Sequence, residues 1–140
     1  MKTLEFGKVT GQQIYVYVSS STLAPAEDEW DAYVAFLTQG FDQTSQVRVI
    51  VYTRSPPPSA IQRRKLMDAV KPLAKRLRVA ILTDSNLVRG VVTALSWVGG
   101  QYTAFAPEQL VDAVTSLGIE GVDAVETRRM VRKFKEQLDA

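Results

Sequence analysis

Side chains with hydroxyl, carboxylate or amide groups follow two apolar segments that have the composition of β-strands. They are Ser55 and Ser59 after the first segment, and Asp84, Ser85 and Asn86 after the second. Each group stands just before a segment of helical periodicity, where the free N–H groups of a helix N-terminus attract anions. Ligands of a parallel sheet also collect beyond the carboxyl ends of its strands. The spacing therefore predicts a loop edge that binds an anion or a phosphorylated peptide; ordinary capping of two helices is the alternative.

The residue types required by much catalytic and metal chemistry are absent. The chain of 140 residues contains no histidine and no cysteine. This excludes Ser-His-Asp and Cys-His hydrolases, zinc sites with nitrogen or sulfur ligands, iron–sulfur clusters and disulfides. Acid–base chemistry near neutral pH would have to rest on a carboxylate such as Asp84, a lysine or a tyrosine, with a shifted pKa. We therefore expect a protein that is not an enzyme and that holds no metal and no cofactor.

Charge is unevenly distributed along the chain, although the net charge is only +2. Residues 45–90 carry ten basic and two acidic side chains, whereas residues 1–44 carry two basic and six acidic ones. The sequence predicts a basic face that binds an acidic partner or an anionic lipid; two solvated helix faces of opposite sign are the alternative. The predicted face consists of Arg63, Arg64, Lys65 and Arg89. No aromatic residue lies among the bases between Ser59 and Arg78, so nucleic-acid binding is not expected.

Hydrophobic periodicity predicts the element order β-β-α-β-α-β-α-β-α-α. The predicted strands are Leu4 to Val9, Gln13 to Ser19, Val47 to Tyr52, Arg78 to Thr83 and Tyr102 to Phe105. Because strands that alternate with helices are joined by parallel crossovers, the fold class is α/β, with a mostly parallel sheet, an N-terminal hairpin and flanking helices. Residues 1–118 form the predicted domain, and residues 119–140 a C-terminal helix that either packs on it or is presented to another chain.

The helix after the third strand has two further signals. Ser59 and Gln62 have the spacing of a capping box, and Pro72 is expected to separate the last turn. The residues expected to face the core are Ile61, Leu66, Ala69, Val70 and Leu73.

An apolar segment bounded by glycines precedes the last strand. It spans residues 91–100 and contains Trp97, and it lies beside Tyr102 and Phe105. The three aromatic residues predict a pocket for an apolar small molecule or lipid; an ordinary buried helix is the alternative.

The order and lengths of these elements resemble those of the STAS family of anti-sigma factor antagonists, over about Lys2 to Gly118. The most characteristic stretch runs from Leu77 to Gly118, where a strand, a short helix, a short strand and a helix of pattern Glu-x-x-x-x-Ala follow one another. The opening hairpin, the acidic helix and the strand VRVIVYTR fit as well. Within this family, the chain is most similar to STAS-like proteins grouped with the lipid-binding CRAL-TRIO domains.

The resemblance implies a regulatory or scaffold protein that acts by binding a protein partner; a carrier or sensor of an apolar small molecule is the alternative. In phosphoregulated STAS proteins, the loop after the central strand reads approximately Asp-Ser-x-Gly, and its serine is the phosphoacceptor that switches binding to a kinase. Here the loop reads SPPPS, which keeps two serines but neither Asp nor Gly. The resemblance therefore places a phosphoacceptor or partner loop at Ser55 or Ser59, with a kinase, another regulator or a second copy of the chain as partner.

Targeting signals are not evident in the sequence. The first residues, MKTLE, are not followed by a signal peptide, and the apolar runs are shorter than the roughly 20 residues that a membrane helix needs. We therefore expect a cytoplasmic protein without stable membrane insertion.

Overall fold

The computed structural model describes residues 1–9, 11–42, 45–54, 56–96 and 101–139. The strands are β1 (Leu4–Lys8), β2 (Ile14–Ser19), β3 (Val47–Tyr52), β4 (Leu77–Leu82) and β5 (Gln101–Phe105). The helices are α1 (Glu27–Gly40), α2 (Ala60–Val70), α3 (Asn86–Ser96), α4 (Leu110–Ser116) and α5 (Gly121–Asp139), and a 3₁₀ turn at Lys71–Leu73 contains Pro72 as expected. Among these described helices, none is long and apolar enough to cross a bilayer.

The five strands form one sheet in the order β1-β2-β3-β4-β5, which confirms the predicted α/β class. β1 pairs antiparallel with β2, and the remaining neighbours are parallel. Since parallel crossovers are right-handed and each leads to the next strand along, α1, α2 and α3 lie on one face of the sheet. On the opposite face, α5 packs on β1 and β2, and α4 packs on β4.

β2 is buried on both of its faces, as its composition predicts. Tyr15 and Tyr17 belong to the core under α1, whereas Ile14, Val16 and Val18 belong to the core under α4 and α5. Because successive side chains of a strand point to opposite faces, one apolar strand contributes to both cores.

A buried glutamine joins α1 to α2. Gln62 is 3% exposed, and its Nε2 donates a hydrogen bond to the carbonyl oxygen of Pro25 over 2.8 Å. In return, Nε1 of Trp30 donates to the carbonyl oxygen of Gln62 over 2.9 Å. The prediction that Ile61 faces the core is wrong, because it is 66% exposed. The inward face of α2 instead follows Gln62, Leu66 and Val70, which recur every four residues.

The C-terminal helix packs directly on the sheet. Val131 and Phe134 of α5 are buried in the core under α4 and α5, which is called the second core below. Val122 and Val125 of the same helix are exposed. The approach is close because β1 has a glycine there: a Cβ added at Gly7 would lie 2.9 Å from Cζ of Phe134. The helix therefore covers β1 and β2 instead of projecting from the domain.

Candidate functional site

An apolar cavity of about 140 Å³ lies between the sheet and the three helices α1, α2 and α3. Its lining includes residues of β3 and β4 and residues of all three helices. The lining residues on β3 and β4 are Val49, Val51, Leu77, Val79 and Ile81, those on α2 include Leu66, Met67 and Val70, and those on α3 are Val88 and Val92.

Aromatic side chains from β2 and α1 form one part of the cavity wall. Tyr17 is 4% exposed, and Trp30 and Tyr33 are each 3% exposed. The rings of Tyr17 and Tyr33 have their centroids 4.7 Å apart, and Trp30 packs edge-on against both. This arrangement buries three large rings and brings two phenol side chains together at the cavity wall.

The two phenol hydroxyls make no hydrogen bond to another described residue. For comparison, the hydroxyl of Tyr15, on the same face of β2, donates to Oε1 of Gln13 over 3.4 Å. The side-chain nitrogen and oxygen atoms that are both fully enclosed and unpartnered in the described part of the chain are Nε of Arg48 and Nε of Arg54. The hydroxyls of Tyr17 and Tyr33 do not belong to that group, so each keeps access to open space. Burial raises the pKa of both tyrosines, so both stay protonated at neutral pH.

The cavity reaches the carboxyl edge of β3, where the loop before α2 begins. Its lining residues there are Thr53, Pro57, Pro58 and Arg63, which are all half-buried. Nη1 of Arg63 donates to the carbonyl oxygen of Pro58 over 2.7 Å, which ties the guanidinium to this loop. The loop before α2, called the proline loop because it contains Pro57 and Pro58, is thus also the rim of the cavity.

Ser59 is exposed and caps α2. Its Oγ accepts a hydrogen bond from the backbone N–H of Gln62 over 3.1 Å, and its own N–H donates to Oε1 of Gln62 over 2.9 Å. This is the predicted capping box. The other serine of the loop, Ser55, lies outside the described residues.

The loop after β4 makes a similar cap. Oγ of Ser85 accepts from the N–H of Val88 over 3.2 Å, and the N–H of Ser85 donates to Oγ1 of Thr83 over 3.1 Å. Asp84 and Asn86 on either side are exposed. Both serines therefore satisfy helix N–H groups, as ordinary capping requires.

Three side chains of the predicted basic face, those of Lys65, Arg63 and Arg89, bind to groups of the same chain. Nζ of Lys65 lies 2.9 Å from Oδ1 of Asp31 and 3.8 Å from Oε2 of Glu27, since α1 and α2 pack side by side. These carboxylates raise the pKa of Lys65. Arg63 folds onto the proline loop, and Arg89, on α3, donates to the carbonyl oxygen of Thr83. Arg64 is exposed on α2. The acidic start of α1 thus pairs with the basic segment of its own chain.

Arg54 links the edge of β3 to the end of α5. Its Nη1 and Nη2 each lie 3.0 Å from the carboxylate of Asp139, and Nη2 donates to the carbonyl oxygen of Ser19 over 3.3 Å. The guanidinium lowers the pKa of Asp139 through its hydrogen bond. The guanidinium of Arg54 is therefore paired with the carboxylate of Asp139 in the C-terminal helix, which lies on the face opposite the cavity.

The predicted aromatic pocket is divided between the two faces of the sheet. Tyr102 lines the cavity, whereas Phe105 packs in the second core with α4 and α5. The two residues are three apart on one strand, so their side chains point to opposite faces. Trp97 lies outside the described residues. Tyr17 and Tyr33 are not among the residues predicted for the site, although the alternation of Tyr15 and Tyr17 in one strand is a visible signal.

A solved structure with a similar fold allows a comparison. It is the crystal structure of an uncharacterised protein of the DUF3478 family from Shewanella loihica PV-4, described as having a SpoIIAA-like fold. The match has a TM-score of 0.62 and 16% sequence identity, and it covers 84% of this chain and 95% of the other. No family model and no curated protein sequence matches the chain.

This likeness agrees with the strand order and the two-faced helical covering. The SpoIIAA-like fold is that of the STAS domains, so the resemblance seen in the sequence is confirmed at the level of the fold. The neighbouring structure is that of an uncharacterised protein, so the likeness shows the fold alone. The chain is a single α/β domain with the SpoIIAA-like, or STAS, fold.

Proposed function

We propose that the protein is a non-enzymatic binding module whose ligand is a small apolar molecule held in the cavity over β3 and β4. The observation that carries this proposal is the cavity itself, with its floor of Val49, Val51, Val79 and Ile81. Protein interiors are close-packed, and an open apolar space of this size is costly unless something fills it. The described lining residues include no carboxylate and no lysine, which supports binding instead of acid–base catalysis.

The volume sets the size of the ligand. A dry apolar cavity of about 150 Å³ accommodates one benzene molecule. The cavity of about 140 Å³ is therefore suited to one aromatic ring with a short substituent, or to an aliphatic group of similar bulk. The lining of valines and aromatic rings favours such a molecule over a sugar or nucleotide, which needs many polar partners.

Replacing Val51 with phenylalanine should weaken binding of ethylbenzene at least tenfold. Val51 lines the floor of the cavity, and the larger ring would occupy the space of the ligand. NMR titration of the labelled protein with ethylbenzene measures this, with circular dichroism to show that the variant is folded.

Val111→Phe is the matched control. Val111 is 57% exposed on α4, on the other face of the sheet, so the same substitution there should leave the affinity unchanged. A wild-type protein that does not bind ethylbenzene, or a Val51→Phe variant that binds it equally well, would contradict the proposal.

The second candidate function is binding of a protein partner at the loop edge, switched at Ser59. The SpoIIAA-like fold favours it, and Ser59 is exposed at the N-terminus of α2, where a phosphate would meet the positive end of the helix. Intact-mass measurement of the protein from its own cells should then show one added phosphate that is lost in Ser59→Ala. A single unmodified mass under every growth condition would rule out the switch.

A further inference from the structure

We propose that the cavity ligand carries one neutral hydrogen-bond acceptor, such as a carbonyl oxygen, which is held by the hydroxyls of Tyr17 and Tyr33. The proposal rests on the proposed function, because it names the chemistry of the ligand for the same cavity. The ligand class is thus a single ring or short chain with one polar end.

The unpaired hydroxyls are the first support. Tyr17 and Tyr33 are 4% and 3% exposed, and neither hydroxyl has a hydrogen-bond partner among the described residues. Each hydroxyl keeps access to open space, so it can donate a hydrogen bond to a ligand atom in the cavity. Packing of the rings requires no oxygen atom, so phenylalanine would fill these positions equally well.

Their place in the cavity is the second support. Both side chains line the cavity at the end formed by β2 and α1, and the rings lie only 4.7 Å apart between centroids. Two neighbouring phenols supply two donors for one acceptor, which has two lone pairs when it is a carbonyl oxygen. An apolar ligand of the right size would therefore place its polar atom at this end.

The charges around the cavity favour a neutral acceptor. Among the described lining residues, Arg63 is the charged one, and it lies at the rim with its Nη1 bonded to the carbonyl oxygen of Pro58. An anion buried at Tyr17 and Tyr33 would lose its hydration without a cation beside it, which is strongly unfavourable. Since burial keeps both phenols protonated, they act as donors.

Acetophenone and ethylbenzene test the proposal, because they have nearly the same shape and differ in the carbonyl group. The wild-type protein should bind acetophenone about three- to tenfold more tightly than ethylbenzene, as one net hydrogen bond predicts. The double variant Tyr17→Phe/Tyr33→Phe should bind both equally, with its affinity for ethylbenzene unchanged. It should also be no less stable than the wild type, since no hydrogen bond within the protein is lost.

Tyr15→Phe is the matched control, because Tyr15 lies on the same face of β2 but its hydroxyl bonds to Gln13 instead of facing the cavity. It should keep the full preference for acetophenone. Equal binding of the two ligands by the wild type, or an unchanged preference in the double variant, would overturn this inference while leaving the proposed function intact. Tighter binding of benzoate than of acetophenone would overturn the inference that the acceptor is neutral. If the wild type binds neither acetophenone nor ethylbenzene, the proposed function fails as well.

Discussion

Replacing Phe134 with alanine should lower the free energy of unfolding by about 3–5 kcal/mol. Phe134 is 8% exposed and joins α5 to the second core, and its ring lies where a side chain at residue 7 would otherwise stand. The substitution removes a buried ring and leaves a space that the rigid strands β1 and β2 cannot close. Urea unfolding followed by circular dichroism measures the loss.

Val122→Ala is the control for this measurement. Val122 lies on the same helix but is 76% exposed, so its truncation should change the stability by less than about 0.5 kcal/mol. Equal, small effects of the two substitutions would show that α5 does not stabilise the sheet in solution. That result would restore the other expectation from the sequence, in which the last helix is presented to another chain.

Replacing Trp30 with alanine should also cost about 3–5 kcal/mol. Trp30 contacts the rings of Tyr17 and Tyr33, and its Nε1 holds the carbonyl oxygen of Gln62 at the first turn of α2. Its loss removes a large buried side chain and also leaves a buried carbonyl without this partner. Circular dichroism is the suitable probe, because the substitution itself changes the tryptophan fluorescence.

Trp30→Phe separates the two contributions. It keeps an aromatic ring in the core but cannot donate to Gln62, so a loss of about 1–3 kcal/mol is expected. If Trp30→Ala were no more destabilising than Trp30→Phe, the packing of the indole against Tyr17 and Tyr33 would not matter for stability. The rings of Tyr17 and Tyr33 would then not be held in a fixed position by Trp30.

Local contacts explain why much of the fold was predictable. The capping box of Ser59 and Gln62 spans four residues, and the break at Pro72 follows from the chemistry of one residue. The strand VRVIVY was predicted with its observed bounds, Val47–Tyr52, because a continuous run of β-branched and aromatic residues favours a buried strand. These features depend on neighbours in the sequence.

The site depended on distant contacts and was therefore predicted only in part. Tyr102 lines the cavity together with Tyr17 and Tyr33, which come from elements much earlier in the chain. Lys65 belongs to the predicted basic face, and in the structure it pairs with Asp31 of α1. Neither pairing is visible in the sequence, since no local rule relates residues more than 30 positions apart.

The sequence by itself determined the order of the elements, the α/β class and the burial of β2 on both faces, because hydrophobic periodicity and turn chemistry act over a few residues. Only the tertiary structure decided which faces meet. It placed α5 on β1 and β2, joined the acidic and basic helices, and left an apolar space over β3 and β4 between α2 and α3. That space is a product of how far apart whole helices stand on the sheet. Helix spacing is set by packing across the core, and no segment of the chain encodes it alone.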